Sequence, residues 1–517
     1  MQTAVRNQLR YILWVTLCTL WIAVTAVVPD FADNPIDDFR TGFSVVCYVL
    51  ACSGVSFLLF YAVGISRRVC AVFLPIYGLL GAAVSYYRIC YKVTVTPVIV
   101  ECMFNTNPET VRGVVSWQLL LWIICNLCLS VVFLVWRWKR ISPLSHAPWQ
   151  AVVSVLCLSI YCVSPMLHRS LSQRFPLNIV HSLREYSVVQ AKRHTPRTIP
   201  EILSVTENGM QTDSLDIVVV IGESVRADHL QLNGYARKTN PCLSQRKNVV
   251  SLPHIRTLYT HTAASVPVLL TRADSLNPDY QYTETSFVSV FKQAGFYAAW
   301  ITNQDMNETF ATFPAECDTT IYPNLGKSVY VYSGWYDEKL LPPTREIMAL
   351  KHSKKLFILH EIGSHWYYNS HVPEQNWYFT PVTTNRIVAN NTIEQIVNSY
   401  DNTIRYTDQV LDSLVTLFSC RKAIIFYLSD HGESLGENGS FFHAGDAEPM
   451  HSCGAVVWYS DLYKESYPEK IAALESNKNN AYLTDYLFHS VLSAAGLRVK
   501  DYKQSLDILT SCRNEEK

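Results

Sequence analysis

The sequence predicts a multi-pass α-helical membrane domain with five spans, followed by an exported α/β domain with a central, mostly parallel sheet. Two observations support this fold class. The first third of the 517 residues is strongly apolar, whereas the rest resembles an ordinary soluble protein. In that later part, short apolar runs alternate with helical patterns, as expected of a sheet covered by helices. The predicted divisions are a membrane domain at 1–168, a periplasmic linker with an interfacial helix at 169–212 and an exported domain at 213–517.

Five apolar segments approach the roughly 20 residues that a helix needs to cross a bilayer. They are residues 11–28, 43–65, 69–87, 114–136 and 149–167. Basic residues precede the first segment, join the second to the third and follow the fourth, whereas the loops on the other side lack this basic character. The positive-inside rule therefore predicts a cytoplasmic amino terminus. An odd number of spans then places the chain after about residue 168 in the periplasm or outside the cell.

Charge and cysteine content exclude two classes of site. Lysine plus arginine and aspartate plus glutamate number 43 each, so no basic surface argues for nucleic acid. Ten of the fifteen cysteines precede residue 165, where they behave as small apolar residues. The other five are Cys242, Cys317, Cys420, Cys453 and Cys512. Since these show no CxxC or zinc-finger spacing, we expect no cysteine-based metal site, and their disulfide pairing stays open.

Short apolar runs in the second part of the chain predict buried strands. These runs are residues 215–221, 296–302, 355–363, 423–432 and 454–460. Helical patterns lie between them, at residues 285–295, 393–418 and 484–496. Residues 178–194 fit an amphipathic helix at the membrane surface and a solvated connector helix equally well.

Polar residues recur where the predicted strands end. Glu223 and Ser224 follow the first strand, His365 follows the third, and Asp430 and His431 follow the fourth. Ligands of open α/β sheets bind beyond the carboxyl ends of the strands. Two carboxylates and an imidazole suit zinc and leave one tetrahedral position open, which Ser224 could fill. A metal would then lower the pKa of the Ser224 hydroxyl and hold it as a nucleophile.

Several motifs, taken in order, resemble those of bacterial phosphoethanolamine transferases, the group that includes lipid A-modifying and mobile colistin-resistance enzymes. They are GESVRADHLQLNGYARKTNP (222–241), SVP (265–267), GSH (363–365), YDNTIRYTD (400–408), YLSDHGESLGENGSFFH (427–443) and DYLFHSVL (485–492). The resemblance implies an alkaline-phosphatase/sulfatase-like fold. It also implies a two-step transfer of phosphoethanolamine from phosphatidylethanolamine to an envelope acceptor, which is lipid A or another lipopolysaccharide or glycan group.

Two other functions compete with this one. A phosphoglycerol transferase of the same fold would act on a periplasmic glycan with a different lipid donor. A membrane sensor or assembly scaffold would have no activity at all, although the presence of every expected ligand argues against it. For the transferase, the expected partners are the donor lipid, a lipopolysaccharide or glycan acceptor and membrane lipids. We expect a monomer in the bacterial inner membrane.

The resemblance also implies roles for individual residues. By motif position, Glu223, Ser224, Asp430 and His431 match the ligands of one tight zinc site, with Ser224 serving also as nucleophile. The family usually has threonine at the nucleophile, whereas this chain has serine at position 224. Cysteine pairs that several relatives carry are missing here, which puts that set of disulfides in doubt.

The remaining implied residues concern the substrate. His365 and His443 match residues that contact the phosphate group or a second metal. Thr106 and Glu109, in the loop NTNPET, resemble residues that help to hold the ethanolamine end, although a plain solvated loop explains them nearly as well.

Overall fold

The described residues of a computed structural model form two compact units, one ending at Val189 and the other beginning at Gln190. The structure describes residues 2–31, 39–91, 93–105, 115–144, 171–172, 174–193, 196–205, 214–304, 312–323 and 334–511, with isolated positions between 149 and 159.

The first unit is helical. Its helices are α1 (Gln2–Ile22), α2 (Phe39–Gly64), α3 (Arg67–Tyr91), α4 (Pro97–Asn105) and α5 (Trp117–Arg140), and α6 (Leu177–Arg193) follows them. Four described segments are long and apolar enough to cross a membrane: Ala4–Phe31, Gly42–Gly64, Arg67–Tyr91 and Trp117–Arg140. The predicted fifth span, 149–167, lies almost wholly outside the described residues and stays a prediction.

A buried arginine joins three parts of the helical unit. The guanidinium of Arg137, near the end of α5, donates hydrogen bonds to the backbone oxygens of Gly64, Ile65 and Ile141 at 2.6–3.0 Å. The last carbonyls of a helix have no partner within the helix. Arg137 therefore caps α2 and fixes the α2–α3 turn against the end of α5.

The second unit is built on a seven-stranded sheet with the order β3-β11-β8-β2-β7-β5-β6. The strands of this unit are β1 (Ile202–Val205), β2 (Leu215–Gly222), β3 (Val249–Ser251), β4 (Ile255–Arg256), β5 (Tyr297–Thr302), β6 (Thr319–Ile321), β7 (Lys354–His360), β8 (Ala423–Ser429), β9 (Ser434–Leu435), β10 (Phe441–Phe442), β11 (Ala455–Tyr459), β12 (Tyr482–Leu483) and β13 (Leu497–Val499). Pairing is parallel from β8 to β6 and antiparallel where β11 joins β8 and β3, so the sheet is mixed. The antiparallel edge was not predicted.

Helices pack around this sheet. They are α7 (Thr262–Leu270), α8 (Tyr280–Thr283), α9 (Phe287–Gln293), α10 (Leu341–Met348), α11 (Ile393–Phe418), α12 (Asp461–Ser466), α13 (Pro468–Asn477) and α14 (Tyr486–Ala494). Helix α11 begins with a capping box, in which Thr392 and Gln395 exchange side-chain and backbone hydrogen bonds. Four of the late cysteines, Cys242, Cys317, Cys420 and Cys453, have free thiols, and Cys512 lies outside the described residues.

The central strands end together. All eight residues of β2 are buried, as expected of a strand covered on both faces. In the ladder, Ile221 of β2 is level with His360 of β7, and Gly222 is level with Ser429 of β8. Side chains that follow these three strands therefore meet at one edge of the sheet.

Candidate active site

Four buried polar residues follow the two central strands. Glu223 and Ser224 come after β2, Asp430 and His431 come after β8, and all four are fully buried. The backbone N–H of Asp430 donates to the carbonyl of Gly222 at 3.1 Å, which continues the ladder one step beyond the strands. The structure thus brings together the four residues that the sequence predicted as a zinc site.

Three oxygen atoms from separate residues surround His431 Nε2. His431 Nε2 lies 3.3 Å from Glu223 Oε1, 3.4 Å from Asp430 Oδ2 and 3.4 Å from Thr262 Oγ1. Bonds of 2.0–2.1 Å in a tetrahedral zinc site would place neighbouring ligand atoms about 3.3 Å apart. The three contacts of His431 Nε2 match this separation, and two carboxylates, an imidazole and a hydroxyl are ligand types that suit zinc.

The imidazole of His431 is oriented by a backbone contact. Its Nδ1 lies 2.9 Å from the carbonyl oxygen of Gly432. Because a carbonyl accepts, Nδ1 carries the proton and Nε2 presents its lone pair to the carboxylates. Burial lowers the pKa of His431 to about 3, so the neutral form suited to a metal ligand dominates at neutral pH.

Thr262 is a site residue that the sequence prediction missed. It is the first residue of α7, and its hydroxyl donates to Glu223 Oε2 at 2.8 Å. The hydroxyl of Ser224 donates to the other oxygen, Oε1, also at 2.8 Å. The side chain of Thr262 is partly exposed, whereas Ser224 is fully buried. The SVP motif, which begins three residues after Thr262, was the signal in the sequence that could have revealed it.

The backbone around Ser224 is strained. Ser224 has a φ of 60°, in the left-handed region that residues other than glycine rarely adopt. This turn aims Glu223 toward the end of β8, where the backbone N–H of Ser224 lies 3.4 Å from Asp430 Oδ1. The sequence predicted Ser224 for the fourth tetrahedral position. In the structure, the hydroxyl 3.4 Å from His431 Nε2 is instead that of Thr262.

Two histidines lie at the partly exposed mouth of the site. The ring centroid of His443 is 4.6 Å from that of His431 and 5.9 Å from that of His365. One donor atom from each of Glu223, His431 and His443 lies within 4.8 Å of the others. His443 also faces the buried carboxylate of Glu433, with Nδ1 3.6 Å from Oε2. The predicted substrate histidines therefore lie beside the predicted metal ligands.

The charges of the site are mutually dependent. Burial would raise the pKa of Glu223, but His431, His365 and His443 together with the Ser224 hydroxyl lower it to about 2. Burial and the nearby negative charge of Glu223 raise the pKa of Asp430. Burial would lower the pKa of His443, yet the carboxylate of Glu433 raises it overall. Two buried carboxylates that influence each other in this way favour a bound cation.

Residues that follow β5 and β7 complete the support of Glu223. Gln304 Nε2 donates to Glu223 Oε2 and to the carbonyl of Glu361, both at 3.0 Å. Gly363 has a φ of 47°, and a Cβ there would lie 2.9 Å from the carbonyl oxygen of Glu223. The neighbouring N–H of Ser364 donates to that same carbonyl at 2.9 Å. The GSH motif thus needs its glycine for a close backbone approach. Thr106 and Glu109 lie outside the described residues.

Family comparisons cover most of the chain. Residues 216–497, more than half of the sequence, match the sulfatase family, and residues 51–172 match the family described as phosphoethanolamine transferase EptA/EptB. The phosphoethanolamine transferase EptA of Salmonella typhimurium is 26% identical, over 98% of this chain and 98% of that protein. EptC of Escherichia coli is 25% identical, over 83% of this chain and 80% of that protein.

Solved structures give a similar result. The integral membrane lipooligosaccharide phosphoethanolamine transferase A of Neisseria meningitidis superposes with a TM-score of 0.81 and 22% identity, covering 97% of this chain and 98% of that one, which shows a shared fold. The periplasmic domain of Escherichia coli EptC, crystallised with zinc, gives a TM-score of 0.55 and 25% identity over 60% of this chain and 90% of that one.

Proposed function

The chain belongs to the sulfatase family and, within it, to the phosphoethanolamine transferases, and we propose that it moves phosphoethanolamine from phosphatidylethanolamine to an envelope acceptor through a covalent enzyme intermediate. The observation that carries this mechanism is the contact of the Thr262 hydroxyl with both Glu223 and His431. A hydroxyl held between a carboxylate and a metal-ligating imidazole is the arrangement of an activated nucleophile.

Two hydroxyl groups donate to the Glu223 carboxylate, and we assign the role of nucleophile to that of Thr262 and not to that of Ser224. Thr262 is partly exposed and can meet a lipid headgroup, whereas Ser224 is fully buried. Thr262 also begins α7, where the helix dipole would stabilise an anionic phosphoryl group. A threonine agrees with the usual nucleophile of the resembled family. The serine that the sequence prediction took for an exception is then a neighbour of the nucleophile.

We propose zinc as the cation of this site, held by Glu223, Asp430, His431 and Thr262. Their atom types and separations support this choice. When bound, the cation would polarise the phosphoryl group and ease loss of the Thr262 proton. His443 and His365, beside this set, are proposed to contact the phosphate group or a second metal.

In the first step, Thr262 Oγ1 attacks the phosphorus of phosphatidylethanolamine. The P–O bond to diacylglycerol breaks, and phosphoethanolamine stays on Thr262. As a lone pair of Oγ1 attacks, the hydroxyl proton of Thr262 passes to Glu223 Oε2, to which it is hydrogen-bonded. His443, whose pKa is raised by Glu433, is the group placed to protonate the departing diacylglycerol oxygen.

In the second step, an oxygen of the acceptor attacks the same phosphorus, and the P–O bond to Thr262 breaks. The proton that the acceptor loses passes to His443, which gave up its own in the first step, and Thr262 regains its proton from Glu223. Gln304 and Ser224 hold Glu223 through both steps, because each donates to one of its carboxylate oxygens. Thr106 and Glu109 are proposed to hold the ammonium of the ethanolamine group.

We place the protein in the bacterial inner membrane, as a monomer with a cytoplasmic amino terminus and a periplasmic catalytic domain at 213–517. The four described spans support a membrane protein. A membrane anchor gives the active site access to its lipid donor. Lipid A or another lipopolysaccharide group is the proposed acceptor, in line with the related lipooligosaccharide phosphoethanolamine transferase A of Neisseria meningitidis. A phosphoglycerol transferase remains the alternative.

Mass spectrometry of the full-length protein tests this function. The purified protein is incubated with vesicles of phosphatidylethanolamine or, separately, phosphatidylglycerol, and its peptides are then examined. We expect the mass of one phosphoethanolamine on the peptide that contains Thr262, with phosphatidylethanolamine only. A phosphoglycerol adduct would establish the alternative, and an adduct on Ser224 would reverse the assignment of the nucleophile. Comparison of envelope glycolipids with and without the gene then identifies the acceptor.

A further inference from the structure

The turn that carries Glu223 has two backbone groups that a strand would have paired. Ser224 has a left-handed backbone conformation, so the chain turns away from the direction of β2. As a result, neither the carbonyl of Ser224 nor the N–H of Arg226 continues the hydrogen-bonded ladder of the sheet. Both groups are buried with their residues. Buried backbone groups need hydrogen-bond partners, or the turn is destabilised.

One side chain satisfies both groups. The hydroxyl of Tyr400 donates to the carbonyl oxygen of Ser224 at 2.6 Å and accepts from the N–H of Arg226 at 2.9 Å. A phenol carries one donor and can also accept, so a single hydroxyl closes the turn on both sides of Val225. Tyr400 belongs to the YDN motif, 176 positions after Ser224.

Tyr400 is held rigidly. It is fully buried in the second turn of α11. Its ring packs edge-on against His229, with centroids 5.2 Å apart, and against Tyr368, with centroids 5.5 Å apart. A residue on a long capped helix with a fixed ring can impose its position on a strained turn.

From these contacts we infer that Tyr400 is a positioning residue that keeps the Ser224 turn left-handed and thereby aims the Glu223 carboxylate at Thr262 and His431. The inference rests on the proposed function for its effect on rate. Tyr400 bonds backbone atoms, so it acts through Glu223. The opposite side of the turn is held separately, since the N–H of Val225 donates to Ser429 Oγ at 2.7 Å. Loss of the Tyr400 hydroxyl should therefore loosen the turn without unfolding the domain.

The test compares Tyr400→Phe with Tyr406→Phe in the full-length protein. Phenylalanine keeps the ring and removes the hydroxyl. Tyr406 is a matched control, because it is a buried tyrosine on the same helix that packs against Val372 and Val410. Two quantities are measured: steady-state transfer from phosphatidylethanolamine, and amide hydrogen exchange of the metal-free protein in the peptide covering residues 222–230.

In Tyr400→Phe we expect kcat to fall about tenfold, as for loss of one well-placed hydrogen bond, with KM close to wild type. The peptide at 222–230 should exchange faster, since the N–H of Arg226 loses its acceptor. Tyr406→Phe should match wild type in both. An unchanged exchange rate in Tyr400→Phe would overturn the inference, as would a wild-type kcat. Exchange needs no substrate, so an inactive wild type with faster exchange in Tyr400→Phe would refute only the proposed function.

Discussion

Thr262 Oγ1 lies 2.8 Å from Glu223 Oε2, although the two residues are 39 positions apart in the sequence. Ser224, directly beside Glu223, contacts the other carboxylate oxygen from a fully buried position. Glu223 therefore joins two hydroxyls that differ in access to substrate. This difference leads to the first prediction.

Replacement of the two hydroxyl residues should give unequal losses. We expect Thr262→Ala to abolish the covalent intermediate, because among the described residues Thr262 supplies the hydroxyl that contacts both Glu223 and His431. Thr262→Ser should retain activity, since it keeps the oxygen. Ser224→Ala should lower the rate by about tenfold only, the effect of one lost hydrogen bond to a buried carboxylate. Adduct formation and transfer rates check this order, and full activity in Thr262→Ala would contradict it.

Removal of one carboxylate should weaken metal binding without unfolding the metal-free protein. Asp430 is fully buried, and its ionised form is disfavoured by the charge of Glu223. We therefore expect Asp430→Asn to lose zinc, measured by elemental analysis after dialysis against a weak chelator. The variant should unfold at a temperature no lower than the chelated wild type. Wild-type zinc content in this variant would show that Asp430 is no ligand.

Glu433 should matter through His443. Its carboxylate is fully buried, accepts from Tyr368 at 3.0 Å and faces His443 Nδ1 at 3.6 Å. Carboxylates that orient a site histidine typically contribute 10–100-fold, so we expect Glu433→Gln to lower kcat/KM by roughly that factor. Tyr368→Phe, which leaves the carboxylate in place, should cost less. Equal losses in the two variants would mean that Tyr368 matters as much as the charge of Glu433.

The backbone strain beside His443 should lower the stability of the protein while it supports activity. Phe442 and Ala444, on either side of His443, both have a φ of 66°. A left-handed conformation costs a residue with a Cβ about 1–2 kcal/mol. Ala444→Gly should therefore raise the free energy of unfolding by about 1 kcal/mol. The higher conformational entropy that glycine gives the unfolded chain offsets part of this gain. Activity should fall as His443 becomes less fixed.

A matched control separates strain from flexibility. Ala447, three residues later, has a φ of −77°, so Ala447→Gly should destabilise the protein. Thermal unfolding of the two variants shows whether each substitution raises or lowers the stability. A lower melting temperature in Ala444→Gly than in wild type would argue against strain at this position.

Asp408 should make stability depend on pH away from the active site. It accepts from the N–H groups of Cys242 and Leu243 at 2.7 and 3.0 Å, yet burial outweighs these bonds and raises its pKa to about 6. Between its ordinary pKa and about 6, the folded protein holds a proton that the unfolded chain has lost. The contribution of Asp408 to stability is therefore largest below this window and decreases as pH rises through it.

The variant Asp408→Asn isolates this effect. Relative to the variant, wild type should gain up to about 3 kcal/mol on going from about pH 7 to about pH 4. Denaturant unfolding of the metal-free protein at the two pH values measures it. A wild-type advantage that grows toward neutral pH would contradict the raised pKa.

The sequence predicted the site where it follows from strand geometry. Adjacent parallel strands end at one edge, so Glu223, Asp430 and His431 could be placed together from the ends of their apolar runs. Thr262 escaped this reasoning because it starts a helix, and no periodicity places a helix start at a strand end. The antiparallel edge also escaped it, since an apolar run marks a strand but not its direction. Strand β3 has three residues and was too short to be predicted from an apolar run.

The order in which the proposed ligands are synthesised has a consequence for how the protein would acquire a metal. Strands β2 and β8 are neighbours in the sheet, but Ser224 and Asp430 are 206 positions apart along the chain. A chain crossing the membrane from its amino terminus delivers Glu223 and Thr262 long before Asp430 and His431. The proposed ligand set is not complete until the last third of the domain has arrived. At the proposed location, zinc would therefore be taken from the periplasmic pool, after translocation, and not carried out with the chain.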